Sequence, residues 1–215
     1  EQAEDKVDAG SIEQAIDQYE MILSSYPGSK YAIQARLDIA FNLLKQKKYN
    51  RSITTLNEFI DKYPDIPASP YAYYLRGVAA EKKSSSILDK IITDSAQRDV
   101  ESVRDAYGYF VELIETFPNS KYSEDAKTKL TFLRNILARH EFYIALYYTD
   151  ISSNIAAVNR CKYIIENYPN SASIPDALHL MAFNYDIINA DELAKDARIV
   201  LESSYPSYSP NYSIK

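Results

Sequence analysis

Five times along this chain an aromatic residue stands immediately before a proline: Tyr26–Pro27, Tyr63–Pro64, Phe117–Pro118, Tyr168–Pro169 and Tyr205–Pro206. Successive prolines are 37, 54, 51 and 37 residues apart. Twelve residues before each proline stand Ala15, Ser52, Ala106, Ala157 and Ala194, all small. Eight residues before it stand Tyr19, Leu56, Phe110, Cys161 and Arg198, most of them bulky. A small residue lets two helices approach, and a bulky one a turn later fills the adjoining gap. Proline cannot continue the helix and pushes the residue before it out of the α region. Ser, Asn and Asp after the prolines then supply caps for the next helix. The stretches SYPGSKYAIQA (25–35), KYPDIPASPYA (62–72), TFPNSKYSEDA (116–126) and NYPNSASIPDA (167–177) all follow this outline.

This is the A-x-x-x-F…P half of a tetratricopeptide (TPR) repeat, a helix–turn–helix unit of about 34 residues. The other half also registers. After Pro169 it reads Leu178, Met181, Ala182, Tyr185, and after Pro27 it reads Arg36, Ile39, Ala40, Leu43. After Pro64 the small position is Gly77, whereas after Pro118 it is Thr131, a poorer match. The expected fold is therefore all-α, a TPR superhelix (α-solenoid) of about five helix–turn–helix repeats with two insertions. The first insertion, Ser-rich and centred on residues 84–100, reads as a loop with a brief helix. The second, between Thr131 and Ala157, carries Leu130, Leu133, Leu137, Phe142 or Ile144, and Tyr147, which predicts a prolonged first helix. The first repeat is expected to be truncated, with a turn at Gly10. The division expected is residues 1–117 for repeats one to three, 118–206 for repeats four and five, and 207–215 for an irregular tail.

Composition excludes several classes. Gly occurs four times, so few tight turns at positive φ are expected, which argues against an all-β fold. The lone Cys161 can form neither an internal disulfide nor a thiolate metal cage. No apolar run is long enough to span a bilayer as a helix. No signal peptide is present, and the opening EQAEDKVDAG reads as the middle of a helix, so a processed or trimmed N-terminus is expected. The net charge of −6 is concentrated in the first twenty residues, leaving the rest neutral. No nucleic-acid partner is therefore expected.

No constellation for catalysis emerges, and neither an enzyme activity, a metal nor a cofactor is expected. His140–Glu141 opens like a zinc-protease helix, but the second ligand position is Ile144. His179 reads as a structural histidine among Leu178 and Leu180, and Cys161 as an inert core thiol. Binding remains. Stacked helix pairs form a concave groove lined by first helices. Tyr31, Arg36, Tyr73, Tyr74 and Arg76 belong to first helices and are candidate peptide anchors, although packing between helices explains any single tyrosine as well.

Nearly the whole chain, roughly residues 1–200, resembles the BamD family, the TPR lipoproteins of the bacterial outer-membrane β-barrel assembly machinery. The resemblance rests on YYLRG at 73–77, Arg98–Asp99 in the first insertion, and above all the run from Pro118 to Leu180. There PNSKYSEDAKTKLTFLRNILARHEFYIALYYT leads into AAVNR and YPNSASIPDALHLM. It implies a periplasmic scaffold lipid-anchored to the outer membrane through an N-terminal cysteine absent from this sequence. It implies that the C-terminal repeats hold the POTRA region of BamA, with Arg160 of the VNR triplet near that contact. Asn159 and Glu141 match neighbouring family positions, and a helix-to-helix hydrogen bond explains them equally well. The N-terminal repeats would receive accessory Bam lipoproteins or signals of unfolded outer-membrane barrel proteins. Two departures stand out, DIPASPYAYY at 65–74 and the Tyr- and Pro-rich tail after Leu201. A generic TPR adapter of the cell envelope, or a cytosolic co-chaperone, is the alternative.

Overall fold

The computed structural model describes the backbone of residues 2–26, 29–88 and 100–214, and the side chains of 12–26, 29–84 and 100–214. Among the described residues there are nine α-helices and no strand. They are α1 (Gln2–Ser25), α2 (Lys30–Lys45), α3 (Tyr49–Lys62), α4 (Ser69–Leu88), α5 (Glu101–Thr116), α6 (Ser123–Asp150), α7 (Asn154–Asn167), α8 (Ile174–Ile187) and α9 (Asp191–Ser204). Sequential helices pack on one another, α1 on α2, α2 on α3, α3 on α4, α4 on α5, α7 on α8 and α8 on α9, as in a TPR-like helical repeat. The chain forms two compact bodies. The N-terminal body holds α1–α5 and α6 as far as Leu130, and the C-terminal body holds the rest of α6 and α7–α9.

The proline ruler marks the ends of alternate helices. α3, α5, α7 and α9 each stop two residues before Pro64, Pro118, Pro169 and Pro206. Pro27 itself lies outside the described residues. The residue ahead of the proline has left the α region, with φ/ψ of −135°/65° at Tyr63, −125°/55° at Tyr168 and −136°/60° at Tyr205. The small and bulky ruler positions are core: Ser52, Leu56, Ala106, Phe110, Ala157, Cys161 and Ala194 are all fully buried. Ala15 and Tyr19 of the first repeat are only half-buried, and Arg198 is exposed and paired with Asp186.

Serines organise the proline turns in two ways. Ser29 caps α2, its side chain accepting the Ala32 N–H at 3.1 Å. Ser69 and Ser123 instead turn back, each donating at 2.7 Å to the carbonyl of the residue before the proline, Tyr63 and Phe117. Satisfying that carbonyl fixes the entry into α4 and α6.

Glycine scarcity does not limit positive-φ turns here, as the composition suggested it would. Lys47, Ser152 and Asn189 adopt φ of 60°, 59° and 56°, one at each of the turns α2–α3, α6–α7 and α8–α9. In each, the next residue's N–H reaches five residues back, from Lys48 to Leu43, Ser153 to Tyr148 and Ala190 to Tyr185. These are Schellman motifs, and their two extra hydrogen bonds offset the cost of the left-handed conformation without glycine.

Three further expectations change. α1 runs unbroken through Gly10, so the N-terminus is one long helix in place of a truncated pair. Ile16 of α1 packs with Ile39 and Leu43 of α2, which gives the helix a tertiary reason to persist. Residues 84–88, expected in a loop, extend α4, and residues 89–99 lie outside the described residues, Arg98–Asp99 among them. The second insertion does lengthen a first helix, the 28-residue α6, with Leu133, Leu137 and Phe142 buried. Tyr147, expected on the apolar face, is 61% exposed, and Ala145 and Thr149 take the core positions.

Candidate functional site

In the N-terminal body one groove candidate, Tyr73, packs against another, Arg76. This side chain is buried between α3, α4 and α5. Its guanidinium donates to Asn57 Oδ1 at 3.1 Å and to Glu112 Oε2. It lies against the rings of Tyr73 and Tyr109, at 5.1 and 4.3 Å from their centroids. Tyr73 is itself buried, edge-on to Phe117 at 5.3 Å. Gly77 is the reason α4 and α5 come so close: a Cβ there would meet the Phe110 ring at 2.5 Å.

Tyr74 faces the start of α6. Its hydroxyl donates to Asp125 at 2.7 Å, and its ring stacks on Tyr122 at 5.1 Å. Burial and then the Asp125 carboxylate push its phenol up, so it remains a donor. Lys129 and Glu81 bridge the same two helices at 2.7 Å. Tyr31 and Tyr122 occupy the same place after their prolines, and each has the preceding lysine over its ring, at 5.3 and 5.0 Å. Tyr122 is packed whereas Tyr31 is 65% exposed. Arg36 is half-buried on α2, with its Nε withdrawn from water and unpaired. Of the five candidates, Tyr73, Tyr74 and Arg76 are committed to neighbouring helices, Arg36 is half-buried, and Tyr31 is largely exposed with Lys30 over its ring.

In the C-terminal body Arg160 of α7 donates to Glu141 of α6 at 2.8 Å. The carboxylate is 5% exposed and the arginine side chain 41%. Asn159, one residue earlier, is exposed. It lines a cleft of about 490 Å³ at the α6–α7 turn with Ser152, Ser153, Asn154, Ile155, Ala156 and Ile188. Ile155 is 67% exposed there. Arg160 and Asn159 thus face different surroundings, one tied to a buried acid and one facing an open cleft.

Supporting residues that the sequence did not single out hold these groups in place. Asn57, Tyr109 and Glu112 hold Arg76, and Tyr122 and Asp125 hold Tyr74. Only the repetition of Ser-Lys-Tyr after two prolines hinted at Tyr122. Deeper in the C-terminal body, Asn184 donates to Thr149 Oγ1 at 2.9 Å and to the Leu180 carbonyl at 2.8 Å. Cys161 is fully buried, and burial pushes its thiol up to about 12, which suits a packing role. Among the described residues no group of three or more potential ligands could hold a metal ion, and no helix is long and apolar enough to cross a membrane.

The family model for YfiO, described as an outer membrane lipoprotein, matches residues 1–200. A Neisseria gonorrhoeae protein named outer membrane protein assembly factor BamD is 34% identical over 206 residues, 95% of this chain and 77% of that protein. Proteins of the same name from Xylella fastidiosa and Haemophilus influenzae are 32% and 30% identical. The matches cover 88% and 91% of this chain, and 65% and 75% of those relatives.

Proposed function

The chain belongs to the YfiO family of outer membrane lipoproteins, and from that membership we propose that it is a non-enzymatic scaffold in outer-membrane β-barrel protein assembly. The observation that carries this reading is a family match along residues 1–200, encompassing all the helices but the end of α9. Relatives at 30–34% identity bear the assembly-factor name. In this reading residues 118–206 hold the POTRA region of BamA. Residues 1–117 form a groove for accessory Bam lipoproteins or segments of unfolded barrel proteins, and 207–215 form a tail. The protein works at the periplasmic face of the outer membrane, tethered by a lipid on a cysteine upstream of Glu1.

The BamA contact centres on Arg160, Asn159 and Glu141. In this reading the buried Glu141 plays an indirect part and fixes Arg160, whose exposed portion and the neighbouring Asn159 reach the partner. In the N-terminal half Tyr31 and Arg36 are the groove residues on α2, while Tyr73, Tyr74 and Arg76 hold the shape of the groove wall through their helix-to-helix contacts.

The test is binding to the soluble POTRA region of BamA from the same organism, measured by calorimetry. Charge reversal in an interface pair costs roughly 2–5 kcal/mol, so Arg160→Glu should weaken binding by more than tenfold. That substitution also strands Glu141, so Asn159→Arg and Ile155→Asp serve as surface variants that leave the pair intact. Loss of binding in these variants with unchanged helical content supports the reading. An intact chain that fails to bind removes the BamA assignment.

A further inference from the structure

The tail after α9 has no place in the repeat, yet it is anchored. Tyr205, Tyr208, Tyr212 and Ile214 are half-buried, whereas the residues between them are exposed. The Tyr208 hydroxyl donates to Asp176 Oδ1 at 2.7 Å, and its ring lies 5.9 Å from that of His179. The Tyr212 hydroxyl is 2.7 Å from His179 Nδ1 and 3.5 Å from the Asp176 carbonyl, and its ring meets Phe142 edge-on at 5.0 Å. Two tyrosines four residues apart, with Pro210 between them, are thus seated on Phe142 of α6 and on Asp176 and His179 of α8.

The manner of attachment is informative. Among the described residues, the tail's last backbone–backbone hydrogen bond outside helices runs from the Tyr208 N–H to Tyr205, at 2.9 Å. The hydrogen bonds and ring contacts of Tyr208 and Tyr212 with α6 and α8 all come from their side chains. Beside Tyr212 a cavity of about 360 Å³ stays open, lined by Asn135, Arg139, Tyr143 and Ser173 among others. The tail therefore fills only part of the α6/α8 surface. It also lies beyond residue 200, where the family match ends. A proline-stiffened segment read through alternate side chains is a common form of peptide recognition, because little chain entropy is lost on docking.

We propose that the α6/α8 surface is a recognition site for an extended partner segment bearing two tyrosines four residues apart around a proline, and that the chain's own tail occupies it as an autoinhibitory strap. The strap competes through its tether. A short tether raises the effective concentration to about the millimolar range, which suffices to hold a weak segment in place. A partner segment that also fills the open cavity gains contacts the strap lacks and displaces it. This proposal stands apart from the BamA assignment and survives its failure.

The test uses the full chain and, as probe, a fluorescent peptide of the tail sequence SYPSYSPNYSIK. Fluorescence anisotropy compares the parent with a Tyr208→Ala/Tyr212→Ala variant, whose substitutions lie outside the helices. Releasing the strap should tighten probe binding by about tenfold or more. Adding Asp176→Asn and His179→Gln should abolish it, and a probe with alanine at both tyrosines should not bind. Equal binding by parent and variant, no binding by the variant, or equal affinity for the alanine probe each overturns the proposal. So does a concentration-dependent dimer of the parent that is lost in the variant, which would assign the site to the tail of a second copy.

Discussion

Each body of the molecule contains an arginine–glutamate pair that joins neighbouring helices, and these two pairs are buried in opposite senses. In the N-terminal pair Arg76 is 7% exposed and Glu112 46%; in the C-terminal pair Arg160 is 41% exposed and Glu141 5%. A buried arginine spreads its charge over a plane and has help here from Asn57 and the rings of Tyr73 and Tyr109. A buried carboxylate is compact, and Arg160 is the partner seen for Glu141. The N-terminal pair is thus one strand of a wider network, whereas the C-terminal acid depends on an exposed arginine that a binding partner can also reach. Each arrangement leaves one charge accessible to a partner, an acid in the first and an arginine in the second.

The sharpest way to break this comparison is Arg160→Met, which leaves Glu141 buried without its partner. Breaking a buried pair costs about 3–5 kcal/mol, and solvent access to Arg160 lowers the expectation to about 2–3 kcal/mol. Urea denaturation measures it, and adding Glu141→Met should recover most of the loss. A single variant as stable as the parent would falsify the dependence of Glu141 on Arg160.

Gly77→Ala probes the N-terminal network next to Arg76. The added Cβ collides with the fully buried Phe110 ring, so a loss of about 1–3 kcal/mol is expected. Phe110→Leu in the same chain should restore part of it, and no change in melting temperature for Gly77→Ala would mean that α4 and α5 have room to separate.

Glu112→Gln should matter least of the charge changes, below about 1 kcal/mol, because the carboxylate is half-exposed and Arg76 keeps its other contacts. A loss as large as that of Arg160→Met would erase the contrast between the bodies.

The finest readout is Cys161, adjacent to Arg160 on α7. Only the thiolate reacts, and burial holds this thiol near 12, so a disulfide reagent at pH 8 should modify the native chain only as α7 opens. Modification should quicken in Arg160→Met and stay unchanged in Glu112→Gln. Immediate reaction of the parent would show that α7 is open to solvent in the native state.

Much of the fold was legible because its signals are local. Pro64, Pro118, Pro169 and Pro206 stop helices by their own chemistry, and Ala106, Ala157 and Ala194 are small wherever they are read. The 28-residue α6 followed from the spacing of Leu133, Leu137 and Phe142. The continuous α1 was not legible, because Gly10 weakens a helix on its own propensity while packing of Ile16 on α2 outweighs it. Positive φ at Lys47, Ser152 and Asn189 was equally hidden, since their capping bonds exist only once the helix before them has formed.

The candidate site divides along the same line. Arg76 and Tyr74 were visible as residues worth noticing, but Glu112, 36 positions on, and Asp125, 51 positions on, meet them only in the folded chain. The sequence left Glu141 open between interface and helix brace, and its burial beside Arg160 supports the brace. The seat of the tail on Phe142, Asp176 and His179 left no sign in the tail itself. By itself the sequence determined most of the helices, their proline stops and the family. The tertiary structure alone decided which charges are buried, which tyrosines are spent on packing and which side chains remain exposed, because burial depends on neighbours that lie far away along the chain.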